Sequence, residues 1–277
     1  MNDVITVAFV TDDGYAPYLS TAIYSLIANR SLGKRYALFV FFSSLSKKNI
    51  GLLSSLQTEN VTITFVNFEE YTKQYNSLFY TWAHYTKESY YRLFLPGYFG
   101  KNYGKFIYLD VDLVVNCDIG KLLDEADCSK TVSGALNYST QDDADYIESL
   151  GLSYQSYINS GVMVIDCNRF NKMRYLEKAV ELIKQKRQFT YIDQDILNIV
   201  CNGDIGFIES SWNLQWNNMG HTERFLPDIR AKVAQIKQPR IVHFTIEKPW
   251  KCMLNPLSEY YNKYAALNPV YKYFKSL

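Results

Sequence analysis

The sequence predicts an α/β protein with a mainly parallel central sheet. Short runs rich in β-branched and aromatic residues alternate with segments of helical apolar periodicity, the pattern of strands joined through helices. Apolar residues make up 48% of the 277, enough for a substantial core in one large domain or two small ones. No internal repeat, low-complexity tract or linker divides the chain.

The elements follow in order. Val4–Val10 is a strand and Thr11–Gly14 a turn. Ala16–Asn29 is a helix with Leu19, Ile23, Leu26 and Ile27 on one face. Tyr36–Phe42 is the second strand, and Ser46 is the N-cap of the second helix. Val61–Val66 is the third strand. Glu88–Leu95 is a helix expected to stop before Pro96-Gly97. Phe106–Leu109 is a buried strand, and Thr131–Leu136 and Val162–Ile165 are further short strands. Asn168–Arg187 is expected as one long helix with Tyr175, Ala179, Leu182 and Ile183 inward. Gln194–Cys201 is a short helix, and Ile205–Ile208 and Arg240–His243 are late strands. After Trp250 the chain changes to an aromatic and basic tail, expected to be helical. Its Lys251, Lys263, Lys272 and Lys275 suit either an anionic membrane surface or a solvated face of helices packed on the sheet.

Composition narrows the functional classes. A net charge of +1 with 21% charged residues gives no reason to expect nucleic-acid binding or disorder. The five cysteines are odd in number and scattered, without a C-x-x-C pair. That argues against a disulfide framework or zinc site and fits a reducing compartment. The N-terminal run reads as a strand rather than a signal peptide, and no segment approaches the roughly 20 apolar residues of a membrane span. The expectation is a cytoplasmic protein, or one held peripherally on the inner face of a membrane.

Y-L-D-V-D-L-V-V, Tyr108–Val115, sets two carboxylates inside an apolar run. Side chains at i and i+2 of an extended chain share a side, so Asp110 and Asp112 converge while Val111 faces away. Two ionised carboxylates repel unless one is protonated or a cation lies between them. At the C-terminal end of a strand they would face the ligand crevice of an open α/β sheet. The pair fits a haloacid-dehalogenase-type phosphohydrolase with Asp110 as nucleophile, or a nucleotide-sugar transferase in which both acids support a metal. It also fits a solvated turn.

Other stretches carry polar groups at strand ends. In V-T-D-D-G-Y, Asp12 can accept from a base N–H and Tyr15 can stack on a base; the plain alternative is a turn with Asp13 capping the next helix. In Y-I-N-S-G-V, Asn159 offers a donor and an acceptor, and Gly161 admits close approach of a ligand in what is otherwise a tight turn before a strand. In Y-I-D-Q-D-I-L-N, Asp193 is an acceptable N-cap, Gln194 projects a neutral amide from the first turn, and Asp195 suits the helix dipole. His243 ends a short strand and would make a mixed N/O ligand set with two carboxylates. Lys248 suits a phosphate.

Together these motifs, with S-Y-Y-R-L around Arg92 and H-F-T-I-E-K-P-W, resemble the retaining glycosyltransferases of family 8, the glycogenin and bacterial lipopolysaccharide galactosyl/glucosyltransferase group. The resemblance runs in order from the first strand to Trp250. It implies a GT-A type Rossmann-like catalytic domain over residues 1–250, with 251–277 as the tail. It implies that Asp110, Asp112 and His243 hold Mn²⁺, with Mg²⁺ as a substitute, against the diphosphate of UDP-galactose or UDP-glucose. Asp12, Tyr15, Arg92, Asp110, Val111, Asn159 and Lys248 would bind the donor. Gln194 and Asp193 would lie at the reacting centre, and His84 and Tyr191 on the acceptor side. The acceptor would be a saccharide, lipooligosaccharide or glycoprotein. Two departures stand out: Ile246 replaces the family's usual Gly after the metal His, and Asn137 falls where relatives carry an acceptor-side Asp. The idle alternative is a nucleotide-sugar-binding protein without turnover.

Overall fold

The computed structural model describes residues 4–81, 86–215, 219–251 and 256–274, the side chains of 219–221 excepted. Ten strands are named here: β1 (Val4–Thr11), β2 (Arg35–Phe42), β3 (Val61–Asn67), β4 (Lys105–Leu109), β5 (Leu113–Val115), β6 (Val132–Leu136), β7 (Ile158–Asp166), β8 (Ile205–Phe207), β9 (Leu214–Gln215) and β10 (Ile241–His243). Seven form one sheet in the order β3-β2-β1-β4-β7-β6-β8. The pairs β1–β2, β2–β3, β1–β4 and β6–β8 are parallel, whereas β7 runs against both β4 and β6. The sheet is therefore mainly parallel, with one reversed strand, β7, next to the central β4. β5, β10 and β9 form a second, small sheet.

Both faces of the sheet are covered at β1 and β4, which is why every residue of these strands after the first is buried rather than every second one. Alternate residues divide between two cores: Ile5, Val7 and Phe9 of β1 face the Ala16–Ala28 helix side, and Ala8 and Val10 face the opposite one. The second core is closed by the helices Tyr91–Phe99, Cys167–Lys172, Tyr175–Lys184 and Ile192–Val200. Ser46 caps the Lys47–Ser54 helix as expected, its hydroxyl accepting from the Asn49 N–H at 3.2 Å.

Four expectations are corrected. The helix expected to stop before Pro96 runs on as Tyr91–Phe99 with the proline inside it. Leu93, Phe94, Leu95, Pro96 and Phe99 are all buried there, and their packing outweighs the hydrogen bond the proline cannot donate. The long helix over 168–187 is broken at Met173–Arg174, where Arg174 takes a left-handed φ of 56°; of its expected inward residues, Leu182 is only partly buried. Asn159-Ser160-Gly161 lies within β7 rather than in a turn before it, because Asn198 of the neighbouring helix binds both the N–H and the C=O of Ile158 and extends the strand. The N-cap of the Ile192–Val200 helix is Tyr191, not Asp193, which sits in the first turn.

The tail folds back onto the domain. Its Ser258–Leu267 helix packs on the Ala16–Ala28 helix, with Tyr261 and Tyr264 buried and Asn268 Nδ2 donating to Ser20 Oγ at 2.9 Å. No helix among the described residues is long and apolar enough to cross a membrane.

Candidate active site

β4 ends at the middle of the large sheet, and Asp110–Val111–Asp112 forms the bend that carries the chain from there into β5 of the small sheet. The Asp110 N–H donates to the Gly161 carbonyl at 2.8 Å, which fixes the bend against β7. β10 lies antiparallel to β5 with His243 opposite Leu113, and the Phe244 N–H donates to the Asp112 carbonyl at 2.8 Å. That pairing brings His243 Nε2 to 3.2 Å from Asp112 Oδ1 and 3.6 Å from Asp110 Oδ2. One ligand atom from each of the three lies within 4.8 Å of the others, a spacing one divalent ion can bridge.

Arg92 organises the floor beside this cluster. Its guanidinium lies 4.6 Å over the Tyr108 ring, and Nη2 contacts Asp110 Oδ1 at 2.9 Å. Nη1 donates to the Ser160 carbonyl and hydroxyl at 2.9 and 2.8 Å. Nε lies 2.9 Å from Asp193 Oδ2 but off line for a hydrogen bond. Burial pushes the Asp193 carboxyl up to about 6, with the Arg92 charge restraining the rise and Asp110 adding to it.

Gln194 is held on both ends of its amide. Oε1 accepts from Asn159 Nδ2 at 3.1 Å and from the Ser160 N–H at 3.0 Å, while Nε2 faces the Tyr157 hydroxyl at 3.3 Å and Asn137 Oδ1 at 3.5 Å. Asp195, fully buried, accepts from the hydroxyls of Tyr146 and Tyr157 and from the Tyr191 N–H, so it pins the start of the helix that presents Asp193 and Gln194. Asn213, also fully buried, lies between His243 and Asn159. Sequence reasoning singled out neither Asn213 nor Tyr146 and Tyr157, whose hydroxyls bind Asp195. Polar residues set among buried aromatics, such as Asn213 beside Trp212, were the one signal available.

Lys248 donates to Asp112 Oδ2 and the Phe244 carbonyl, each at 2.5 Å, and to the Thr245 carbonyl at 3.1 Å. Burial by itself would raise the Asp112 pKa, but the Lys248 and His243 charges outweigh it and hold that carboxyl well below the usual range. Asp12 Oδ1 accepts from the Tyr15 N–H at 2.9 Å. Asp13, expected as a cap of the Ala16–Ala28 helix, instead ties its loop to the following one, Oδ1 accepting from the Ser46 N–H at 2.7 Å and from Asn49 Nδ2 at 2.8 Å. Burial, then the charges of Asp112 and Asp12, push the Tyr15 hydroxyl up to about 12.

A single cleft of about 660 Å³ gathers the expected residues: Asp12, Tyr15, Arg92, Asp110, Val111, Asp112, Asn159, Tyr191, Asp193, Gln194, His243 and Lys248 all line it. That volume is typical of a small-molecule site. Asn137 and Ile246 line it too, with Ile246 on the rim at 58% exposure. The Tyr191 hydroxyl donates to Asp143. His84 lies outside the described residues. At Gly161, His243 and Asp110 lie so close that there is no space for a Cβ.

The sequence profile of the family described as Glycosyl transferase family 8 matches residues 6–253. A putative glycosyltransferase of Haemophilus influenzae is 26% identical over 76% of this chain; the chain spans only 64% of that relative. The lipopolysaccharide 1,3-galactosyltransferase of Salmonella typhimurium is 23% identical over 97% of this chain and 82% of its own length. Among solved structures, the bifunctional glycosyltransferase WbbM superposes with a TM-score of 0.84 at 23% identity, over 98% of this chain and 52% of that one. The galactosyltransferase LgtC, solved with donor and acceptor sugar analogues, gives 0.77 at 22% identity over 95% and 96%. Both share this chain's fold.

Proposed function

The chain belongs to glycosyltransferase family 8, with a GT-A type fold, and from that premise we propose that it moves galactose or glucose from UDP-hexose to a hydroxyl of a saccharide or glycoconjugate, with retention of the anomeric configuration. The observation that carries the reading is the convergence of Asp110, Asp112 and His243 with Gln194 and Lys248 in one cleft. Two carboxylates and an imidazole form an N/O set that fits Mn²⁺, with Mg²⁺ as a substitute. Bound there, such an ion would neutralise charge on the departing diphosphate.

The chain's own residues supply the rest. Lys248 adds a positive charge at the diphosphate end, where negative charge grows as the sugar leaves. Asp12 and Tyr15 face the uracil end, and Arg92, Asn159 and Asp193 the donor sugar. Gln194 lies beneath the anomeric carbon. Its amide oxygen is a weak nucleophile, and it already accepts two hydrogen bonds. It stabilises positive charge at that carbon together with Asp193, rather than attacking. The acceptor hydroxyl then enters from the leaving-group face and gives its proton to a phosphate oxygen. The protein acts in the cytoplasm. The tail buries Tyr261, Tyr264, Tyr271 and Phe274, and among its described residues Lys251, Lys263, Leu267, Lys272 and Tyr273 remain exposed for contact with a membrane surface.

The test is UDP release from UDP-galactose, UDP-glucose and UDP-N-acetylglucosamine with Mn²⁺ or with a chelator. Asp112→Asn should abolish metal-dependent UDP binding; unchanged affinity would remove the metal assignment. A covalent sugar trapped on Gln194 or Asp193 of the wild-type enzyme would overturn the front-face route.

A further inference from the structure

Behind the acidic cluster runs a buried line of amides whose polarity can be derived without reference to assigned hydrogens, which are otherwise a matter of choice for Asn, Gln and His. Two backbone N–H groups set it, because a backbone N–H can only donate. The Ser160 N–H meets Gln194 Oε1 at 3.0 Å, so that atom is an oxygen. The Gly161 N–H meets Asn159 Oδ1 at 3.0 Å, so that atom is an oxygen too, and Asn159 Nδ2 is the end that reaches Gln194 Oε1 at 3.1 Å. The two ends agree, which fixes both amides.

The next link follows. Asn213 approaches Asn159 Oδ1 at 2.9 Å and must present its Nδ2 there, because two carbonyl oxygens would repel. Its Oδ1 is then the atom 3.0 Å from His243 Nδ1. An oxygen of an amide can only accept, so Nδ1 carries the proton. When the ring is neutral, Nε2 therefore carries the lone pair, and Nε2 is the nitrogen that faces Asp110 and Asp112. Asn213 is fully buried and Asn159 and His243 nearly so, leaving little room for water to substitute for any link.

We propose that Asn213 is the positioning residue that holds His243 in its Nδ1-protonated form and so aims the Nε2 lone pair into the Asp110–Asp112 gap. This rests on the reading of that gap as a divalent-metal site. The same line makes Gln194 and the metal cluster two ends of one hydrogen-bonded array, so the orientation of the amide under the anomeric carbon and the competence of His243 are set together. A metal-bound imidazole normally donates its other N–H to a fixed acceptor, and loss of such an acceptor costs about 10–100-fold in metal affinity.

The experiment uses the full chain labelled with ¹⁵N-histidine, in which only three histidines contribute signals. In the metal-free wild type, His243 Nδ1 is expected to be protonated and hydrogen-bonded. An Nδ1 without a proton overturns the proposal outright and needs no variant. Binding of Mn²⁺ alone, followed by the loss of the free-ion paramagnetic resonance signal, is then compared between wild type, Asn213→Ala and Asn213→Asp. Asn213→Ala is expected to bind Mn²⁺ about 10–100-fold more weakly. Asn213→Asp keeps an acceptor for Nδ1 and should preserve the Nδ1 proton while disturbing the link to Asn159. Unchanged Mn²⁺ affinity in folded Asn213→Ala overturns the proposal, as does loss of the Nδ1 proton in Asn213→Asp. A wild type that binds no Mn²⁺ sinks the metal reading instead, and the ¹⁵N spectrum still judges the hydrogen bond on its own.

Discussion

Gly161 and His243 are pressed together more closely than any side chain would allow. A Cβ on Gly161 would stand 2.2 Å from His243 Cε1 and 2.7 Å from Asp110 Oδ2. Gly161 sits inside β7, paired with β4, so it cannot retreat. Gly161→Ala should therefore displace the imidazole or split the bend. The expected outcome is a protein destabilised by about 1–3 kcal/mol that no longer binds Mn²⁺. Thermal melting alongside Mn²⁺ titration checks it, and an alanine variant with intact metal binding would contradict the packing.

Asp193 is held at a thermodynamic cost. Its carboxyl is raised from 3.8 to about 6 by burial, so its ionised form is disfavoured in the fold by on the order of 3 kcal/mol. The sign follows: the contribution of a raised carboxyl is full below its unfolded pKa and is lost as pH rises through the folded one. Asp193→Asn removes that loss. In chelator, the variant should gain stability relative to wild type as pH climbs from about 4 to about 7, while kcat falls by about 10²-fold or more. Parallel pH–stability curves for the two proteins would show that the carboxyl is not perturbed.

Lys248 spends all three ammonium protons, one of them on Asp112. It thus competes with a metal for that carboxylate while it favours a diphosphate. Lys248→Met should separate the two effects: Mn²⁺ alone binds a few-fold more tightly, and kcat/KM for UDP-hexose falls by roughly 10²-fold. Weaker binding of Mn²⁺ alone would mean that Lys248 instead orients Asp112 for the ion.

The strand pattern of the large sheet was legible from its β-branched and aromatic runs, buried on both faces in β1 and β4 and on alternate residues at the start of β3. The acidic pair was legible because carboxylates in such a run need a partner. What escaped had no periodic signature. β5 and β9 span only three and two residues, yet the pairing of β5 with the expected strand β10 is what carries His243 to Asp112. The reversal of β7 depends on which strand it joins rather than on its own composition, and Asn159-Ser160-Gly161 looks like a turn until Asn198 is beside it. Asn213 is a single polar residue whose meaning lies in contacts distant along the chain, and the bonds of Asp195 to Tyr146 and Tyr157 are distant in the same way. The break at Arg174 carries neither glycine nor proline to announce it.

The tail is predicted to be structural. Tyr261, Tyr264, Tyr271 and Phe274 are buried, and Asn29 Nδ2 donates to the Tyr264 hydroxyl at 2.8 Å as well as to the Val115 carbonyl at 2.9 Å. Removing residues 256–277 takes away four buried rings at about 3–5 kcal/mol each, comparable to the whole stability of a domain. The truncated chain should lose its cooperative melting transition by circular dichroism. A truncated protein that melts like the full chain would show the tail to be an appendage.

The bend at Asp110–Asp112 joins two sheets, and its third partner arrives on β10, with 130 residues between Asp112 and His243. A ribosome making this chain therefore releases both acids long before the imidazole exists. Any ion the three residues share can be captured only after His243 has emerged and β10 has docked beside β5. A chain stalled or cleaved before His243 would keep the central strands but lack the three-residue cluster.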